Sequence, residues 1–403
     1  MRQIDYKLFF SVFILIVFWM IMISSVSVYS SHRVTELMVK AWKIDHPYNY
    51  FYVIRNIIHV IISLIVLWVI SKIPYKFFEK YIKVIVWVIW FLLIFVLINW
   101  LAFKWARWWI NIPWIPFTIQ PTEFLKFGLI LFLAAYFKAN KHKLYDFKQG
   151  FLPFASIMWI VTLLVWAQPD FGTLMIILPV WAIIYFVSWA NLKYILSLWA
   201  LWILLFFWVY LAWDYDHKTW KTLNKLWYIT KRIDNFLADN KTAIANKTIN
   251  YQTEQGLIAI WSWWFGWLWF WKSIQKFGYL PEVQWDFIFS VIVEELWFVG
   301  AFILISMYLY IVYRWFYIAS RVDDLFAKYS AIWISSWIFI QAFVNIWVNL
   351  NIVPLTWVTL PFISYWGSSL LALAIAVWFL LNISRYIKDN PYKYHRKHSF
   401  RLF

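Results

Sequence analysis

The sequence predicts an all-α polytopic membrane protein, and three observations support this prediction. Of its 403 residues, 64% are hydrophobic and only 14% are charged, whereas a soluble domain is about half apolar and a quarter charged. The apolar residues form runs long enough to cross a bilayer as helices. The net charge of +17 comes from short basic segments between these runs. A soluble enzyme, a nucleic-acid-binding protein and a disordered chain are therefore excluded, and the absence of cysteine excludes disulfides and thiolate chemistry.

The apolar runs predict about ten transmembrane helices. They cover residues 8–28, 52–71, 82–103, 121–137, 153–168, 171–190, 194–213, 287–313, 330–350 and 361–384. Because the fourth to sixth runs are short or closely spaced, totals of nine or eleven remain open. The first run is too long for a signal-peptide core, so we expect it to be retained. We expect residues 1–403 to form one membrane domain, interrupted by a long loop at 214–286 that is partly re-entrant from about Gly256.

The distribution of Lys and Arg predicts the orientation of the chain. With an even number of spans, both termini lie on one side, and most of the basic residues outside the long loop fall in segments on that side. The positive-inside rule therefore places both termini in the cytoplasm and the 214–286 loop, between spans 7 and 8, outside. The basic tail at 385–403 is then cytoplasmic, where it can contact anionic membrane lipids.

The tryptophan content is anomalous for any membrane protein. The chain contains 35 Trp but only 8 Gly, although Gly is normally about 7% of residues. Residues 261–271 alone hold Trp261, Trp263, Trp264, Trp267, Trp269 and Trp271, where a turn is expected. Because Trp cannot take over the positive φ values that Gly adopts, we hypothesise that many of these residues are Gly in the living protein. Reading UGA codons as Trp in an organism that reads them as Gly would produce this sequence.

Several charged residues lie in or beside the predicted spans, where charge is costly and often functional. They are Glu123, Lys126, Asp170, Asp286, Glu294 and Glu295. A structural alternative exists for each. Glu123 and Lys126 are three residues apart on one helix face and could neutralise each other, while Asp170 and Asp286 could each cap the helix that follows. Glu294 and Glu295 point about 100° apart, so we expect at least one of them to tie two spans together.

Polar residues and Pro recur beside three of the predicted spans on the outer side. They form the stretches 120–123, 168–170 and 364–369. Irregular backbone at membrane depth is tolerated only inside protein or beside a wet cavity. The sequence therefore predicts an outward-facing polar cavity, which suits a transporter, a lipid-handling enzyme or a receptor.

Five motifs in and around these stretches resemble those of the SEDS family of cell-wall polymerases, which includes FtsW and RodA. They are QPTEF at 120–124, QPDFGT at 168–173, FGYLPE with DFIF at 277–289, EEL at 294–296 and LPFISY with GSS at 360–369. Trp366, Trp297 and three Trp of the 261–271 segment stand where the family has Gly, which supports the recoding hypothesis. Two departures are Gln284-Trp285 in place of the family's His-Thr, and Arg107 one position before the family's Arg.

The resemblance implies peptidoglycan glycosyltransfer from lipid II at the outer face of the bacterial cytoplasmic membrane. Asp286 aligns with the family's essential aspartate and would act as the base towards an acceptor hydroxyl. The pyrophosphate leaving group needs cations, for which Arg107, Lys126, Lys272 and Lys276 are the candidates, with a divalent ion (Mg or Mn) as a further possibility. Further expected substrate-binding residues are Glu123, Asp170, Glu282, Ser364, Ser368 and Ser369, whereas Glu294 and Glu295 are expected to be structural.

The resemblance also implies partners and leaves alternatives open. The substrates would be lipid II and the nascent glycan on polyprenyl pyrophosphate, and the protein partners a class B penicillin-binding protein and other divisome proteins. Residues 273–276 and Thr359 are closer to FtsW, the division branch, than to RodA, the elongation branch. A lipid II flippase and a scaffold that recruits a synthase are the competing functions.

Overall fold

The computed structural model describes residues 4–98, 118–168, 170–188, 247–262 and 269–387, with a few single residues between these ranges. Within them the chain forms twelve α-helices and no β-strand. The helices are α1 Tyr6–Val26, α2 Val28–Lys40, α3 Phe51–Ser71, α4 Tyr75–Lys80, α5 Ile82–Ile98, α6 Pro121–Ala139, α7 Leu152–Ala167, α8 Phe171–Val187, α9 Lys247–Trp261, α10 Ile288–Arg321, α11 Leu325–Asn349 and α12 Gly367–Ser384. The predicted all-α class is confirmed.

Nine of the ten predicted spans coincide with helices, and the tenth, 194–213, lies almost wholly outside the described residues. Six helical segments in the described part of the chain are long and apolar enough to cross a membrane. The helices α5 and α8 are apolar but shorter, while α6 carries charged residues that lower its hydropathy. The number of spans and their orientation stay predictions.

The structure also differs from the predicted boundaries. Helix α2 was not predicted because it is polar, and it begins directly after Ser27, whose hydroxyl donates to the Ile23 carbonyl at 2.6 Å. Helix α12 begins at Gly367 instead of residue 361, because the preceding residues form an irregular turn in which Phe362 has φ 63°. Helix α10 is longer than predicted and continues to Arg321.

The predicted re-entrant segment is α-helical only at its start, and the described residues 269–287 form turns with one 3-10 helix at Gln275–Phe277. Gly256 lies inside α9, and a Cβ on it would come within 2.7 Å of the Phe287 ring. This glycine therefore allows α9 to pack closely against the start of α10. Residues 263–268 and almost all of 214–246 lie outside the described residues, so the re-entrant path itself stays a prediction.

Helix α11 forms the centre of the bundle. It packs against α6, α8 and α10, and most of its side chains are buried. It begins after Asp324, whose carboxylate accepts from the Phe326 N–H at 3.3 Å and so caps the helix. The chain surrounding α11 supplies the residues of the candidate site.

Ion pairs join several helices at the end of the bundle that contains both described ends of the chain. Lys138 Nζ lies 2.6 Å from Glu79 Oε1 and 2.7 Å from Asp324 Oδ1. Arg314 of α10 pairs with Asp5, just before α1. We call these five residues the basal network. Its first three residues join α4, α6 and α11, and its other two join α1 and α10.

Backbone conformation supports the recoding hypothesis. Of the seven non-glycine residues with positive φ in the described ranges, four are Trp: Trp42, Trp269, Trp271 and Trp297. Trp297 interrupts α10 with φ 59° and ψ −169°, at the edge of a region that only Gly occupies readily. Bulky residues are rare at positive φ because Cβ clashes with the backbone. Glycine at these positions would remove the strain.

Candidate active site

Glu123 and Lys126 form a buried ion pair in the first turns of α6. Pro121 occupies the first helical position, which it favours because it lacks an N–H. Lys126 Nζ lies 2.7 Å from Glu123 Oε1, and the two side chains are only 2% and 7% exposed. The predicted ion pair between Glu123 and Lys126 is therefore present, and both side chains are buried inside the helix bundle. Lys126 also donates to Gln341 Oε1 of α11 at 3.1 Å.

Asp170 joins α8 to α6. Its carboxylate accepts from the Thr173 N–H at 3.0 Å, so the predicted helix-capping role is confirmed. The same carboxylate accepts from Thr122 Oγ1 at 3.1 Å and from Gln120 Nε2 at 3.3 Å. The polar stretches at 120–123 and 168–170, which are distant in sequence, thus meet as expected.

Three amide side chains form a polar stripe on α11 that the sequence analysis missed. Gln341, Asn345 and Asn349 are four residues apart, which places them along one helix face, and each is at most 1% exposed. Gln341 accepts from Lys126 and donates to the Thr359 carbonyl at 3.1 Å. Such spacing of amides in an apolar span is a signal that could have been read from the sequence.

Asp286 lies at the other end of this stripe, immediately before α10. It is buried, and its carbonyl accepts from the side-chain amides of Asn345 and Asn349, both at 2.9 Å. The N-cap residue of α10 is Phe287, one position after Asp286. The alternative in which Asp286 serves as the helix cap is therefore wrong. Helix α11 connects the backbone of Asp286 to Lys126 through its amides.

The turn before Asp286 contacts the segment that leads into α12. Glu282 is half-buried with φ 57°, and its carbonyl accepts from the Asp286 N–H at 3.2 Å. The Gln284 carbonyl accepts from the Tyr365 N–H at 2.9 Å. These bonds bring the predicted residues Glu282 and Asp286 to the same end of the bundle as the 364–369 stretch.

Arg55 is a cation near this turn that the sequence analysis also missed. It lies in the second turn of α3 with its guanidinium 4.9 Å from the Phe51 ring centre, and its side chain is exposed. It lies three residues after Tyr52 on the same helix face, and the Tyr52 ring packs edge to face against that of Tyr365 at 5.0 Å. Arg55 therefore places a positive charge at the edge of the candidate site.

The three predicted serines are buried and occupy different positions. Ser364 Oγ accepts from the Leu360 N–H at 2.8 Å and so stabilises its own turn. Ser369 Oγ lies 3.3 Å from Thr359 Oγ1, which connects it through Gln341 to Lys126. Ser368 lies between them in the first turn of α12, only 1% exposed. Their contact with substrate stays a prediction.

Glu294 and Glu295 form a second buried cluster with Lys276. Glu295 accepts from Ser25 Oγ of α1 at 2.6 Å, which confirms that at least one of the two glutamates ties helices together. Glu294 accepts from Ser273 Oγ at 2.5 Å. Lys276 Nζ donates to Ser25 Oγ, Glu295 Oε1 and the carbonyl of residue 271 at 2.7–2.9 Å.

The predicted cations are therefore not equivalent. Lys276 uses all three of its donors within the protein, which favours a structural role over phosphate binding. Lys272 is exposed near the same turn. Arg107 lies outside the described residues. Of the three cations that the structure describes, Lys126 alone contacts the polar stripe of α11.

Metal ligands are sparse in the described part of the chain. No group of three or more His, Cys, Asp or Glu side chains within it could hold a metal ion. The residues described thus do not fit a preformed divalent-metal site. Mg²⁺ is commonly held by one or two carboxylates together with substrate phosphates, an arrangement that a protein structure without substrate does not contain.

The sequence is similar to those of known proteins along almost its whole length. The family model of the cell cycle proteins FtsW, RodA and SpoVE matches residues 6–389. Stage V sporulation protein E of Bacillus subtilis (strain 168) is 31% identical over 84% of this chain and 88% of its own length. A probable peptidoglycan glycosyltransferase FtsW of the same strain is 32% identical over 98% of this chain and 93% of its own length.

Two solved structures share the fold. A structure from a study of polymerization and crosslinking by a peptidoglycan synthase complex has a TM-score of 0.70 at 22% identity, covering 96% of this chain and 99% of its own. The rod shape determining protein RodA of Thermus thermophilus has a TM-score of 0.63 at 20% identity, covering 96% and 98%. Both similarities extend over nearly the whole chain.

Proposed function

Because this chain belongs to the family of the cell cycle proteins FtsW, RodA and SpoVE, we propose that it is a peptidoglycan glycosyltransferase that polymerises lipid II at the outer face of the bacterial cytoplasmic membrane. Its relatives named as probable peptidoglycan glycosyltransferases align over up to 98% of this chain. The single structural observation that carries the proposal is the buried aspartate before α10, whose backbone is held by α11 and whose side chain is not the helix cap.

Asp286 is the proposed general base. Its carboxylate takes the proton of the acceptor sugar hydroxyl as that oxygen attacks the anomeric carbon of the donor. The bond between this carbon and the pyrophosphate oxygen breaks at the same time, and the lipid pyrophosphate leaves. One displacement inverts the anomeric carbon, so no covalent intermediate with the protein is needed.

Lys126 and Arg55 are the proposed stabilisers of the pyrophosphate. A preorganised cation in a site with little water stabilises the charge that develops on a leaving group. Glu123 and Gln341 accept two of the three Lys126 donors and fix the direction of its ammonium group. The exposed guanidinium of Arg55 can form two parallel hydrogen bonds to a phosphate.

The partners follow from the same family assignment. We propose that a class B penicillin-binding protein crosslinks the strands that this protein makes, in the context of cell division and with other divisome proteins. One structural relative comes from a study of a peptidoglycan synthase complex, and several curated relatives are FtsW proteins. The elongation role of RodA is the alternative assignment within the family.

A lipid II flippase is the second candidate function, and the basal network argues against it. Inward opening would have to separate helices that Lys138, Glu79 and Asp324 join at one end of the bundle. The Arg314–Asp5 pair would also lie across such an opening. A polymerase needs access from the outer side alone and can leave these pairs intact.

The decisive experiment incubates purified protein in liposomes with lipid II and separates the products by gel electrophoresis. We expect glycan strands from the wild-type protein and none from Asp286→Asn, because the amide cannot accept the proton. The same preparations are tested for movement of labelled lipid II between leaflets. Strands made at the wild-type rate by Asp286→Asn would remove this residue from catalysis, and lipid II movement without strands would replace the polymerase with a flippase.

A further inference from the structure

The N-terminus of α10 lacks a cap from its own sequence. The first N–H groups of a helix have no partner within it and are usually satisfied by a Ser, Thr, Asp or Asn at the N-cap. Here the N-cap is Phe287, whose ring offers no acceptor. This helix end is also buried, so water is not available to replace the missing acceptor.

Asn349 of α11 provides that acceptor from another helix. The Ser290 N–H donates both to Asn349 Oδ1 at 3.2 Å and to the Phe287 carbonyl at 3.1 Å, and Ser290 Oγ donates to Asn349 Oδ1 at 2.7 Å. Ser290 is the third residue of α10 after the cap, one of the two positions whose N–H an N-cap side chain normally satisfies. Asn349 therefore performs the capping function from across the helix interface.

The nitrogen of the Asn349 side-chain amide binds the backbone of Asp286. Asn349 Nδ2 donates to the Asp286 carbonyl at 2.9 Å, and Asn345 Nδ2 donates to the same oxygen at 2.9 Å. Asn345 is itself fixed, since its Nδ2 also donates to the Val358 carbonyl at 2.7 Å. Two amides of a buried helix thus determine the position of the Asp286 peptide group and, with it, the direction of its Cα–Cβ bond.

We propose that Asn349 is a positioning residue for the reaction: it joins the first turn of α10 to the Asp286 peptide group and so sets the position from which the carboxylate meets the substrate. This inference rests on the proposed polymerase function. An aspartate before a helix would ordinarily be drawn to the helix N–H groups, because both the hydrogen bond and the helix dipole favour it there. Asn349 Oδ1 gives the Ser290 N–H an acceptor other than the Asp286 carboxylate.

A purely structural role would give a different result from a positioning role. If Asn349 only caps α10, its removal lowers thermal stability, while the folded fraction keeps its turnover rate. If it positions Asp286, the folded protein loses kcat with little change in KM for lipid II, since misplacement of a catalytic group by about 1 Å can cost on the order of 10²-fold in rate. The two parameters must therefore be measured separately.

The test compares Asn349→Ala and Asn349→Asp with Asn382→Ala. Asn382 offers a matched control because its amide makes the same pair of bonds, Nδ2 to the Ile73 carbonyl at 3.2 Å and Oδ1 from the Tyr75 N–H at 2.9 Å, away from the candidate site. If Asn349→Ala fails to fold, Asn349→Asp still keeps an oxygen to cap Ser290 while losing the amide donor to Asp286.

We expect both Asn349 variants to lower kcat at least tenfold per folded molecule, and Asn382→Ala to lower only thermal stability. A wild-type kcat in either folded Asn349 variant would overturn the inference and leave the polymerase function intact. Equal losses of kcat in the Asn382 control would also overturn it. A wild-type protein that makes no glycan would instead refute the proposed function, and the inference with it.

Discussion

Replacement of Glu295 by Gln tests how strongly the second buried cluster supports the fold. The variant removes the negative charge that neutralises Lys276 but keeps a similar side-chain shape. Glu295 Oε1 and Lys276 Nζ are 2.8 Å apart, and their side chains are 0% and 1% exposed. Because Ser25 can still donate to the new amide oxygen, the change affects mainly the charge pair.

The expected effect is large because the remaining ammonium group is left in the interior without its counter-charge. Loss of one partner from a buried ion pair costs about 3–5 kcal/mol. Neutralising both groups, as in Lys276→Met with Glu295→Gln, leaves no unpaired ammonium group and should restore most of this loss. The double variant thus separates the cost of the orphaned charge from the value of the pair.

The assay is the free energy of unfolding in detergent, with Glu36→Gln as the control. Glu36 and Lys40 form an ion pair of the same length, 2.8 Å, but on the exposed surface of α2. Exposed pairs contribute little because water already solvates both charges, so we expect no measurable change in the control. Equal effects of Glu295→Gln and Glu36→Gln would refute the reasoning, as would a double variant less stable than Glu295→Gln.

Two further predictions concern residues of α6 and α10. Exchanging the charges by Glu123→Lys with Lys126→Glu preserves neutrality but moves the cation by about 4.5 Å along the helix, so we expect a folded protein without glycan synthesis. Wild-type synthesis would show that the pair is only structural. Trp297→Gly should raise the unfolding temperature, because it relieves a strain of about 1–3 kcal/mol. Trp87→Gly in the regular helix α5 should not, and equal responses of both variants would argue against the recoding hypothesis at Trp297.

The sequence was sufficient to predict the helices that are defined by apolar length. The span predicted at 330–350 corresponds to α11, and that at 8–28 to α1. Helix α2 has no such run, since polar residues interrupt its apolar ones along the sequence. A search for bilayer-length apolar segments cannot detect a helix of that kind.

The candidate site was predictable where a motif kept its residues close in sequence. Glu123 and Lys126 were expected to interact because they are three positions apart, and they do. The contact between Lys276 and Ser25 joins residues separated by 251 positions, and no local pattern indicates it. Their pairing depends on how the 3-10 helix at Gln275–Phe277 packs against α1. A lysine assigned to phosphate binding by its position in a motif is therefore bonded within the protein instead.

The interruption of helical geometry at Trp297 has a mechanical consequence for the first segment of α10. The segment from Ile288 to Leu296 is about 13 Å long and is followed by a residue with non-helical backbone angles. It can act as a lever with its pivot at residue 297, while Arg314 anchors the remainder of the helix. A rotation of about 10° would move Asp286 by about 2 Å, well beyond the roughly 0.5 Å that a catalytic group tolerates. The bonds from Asn345 and Asn349 to the Asp286 carbonyl oppose such a rotation.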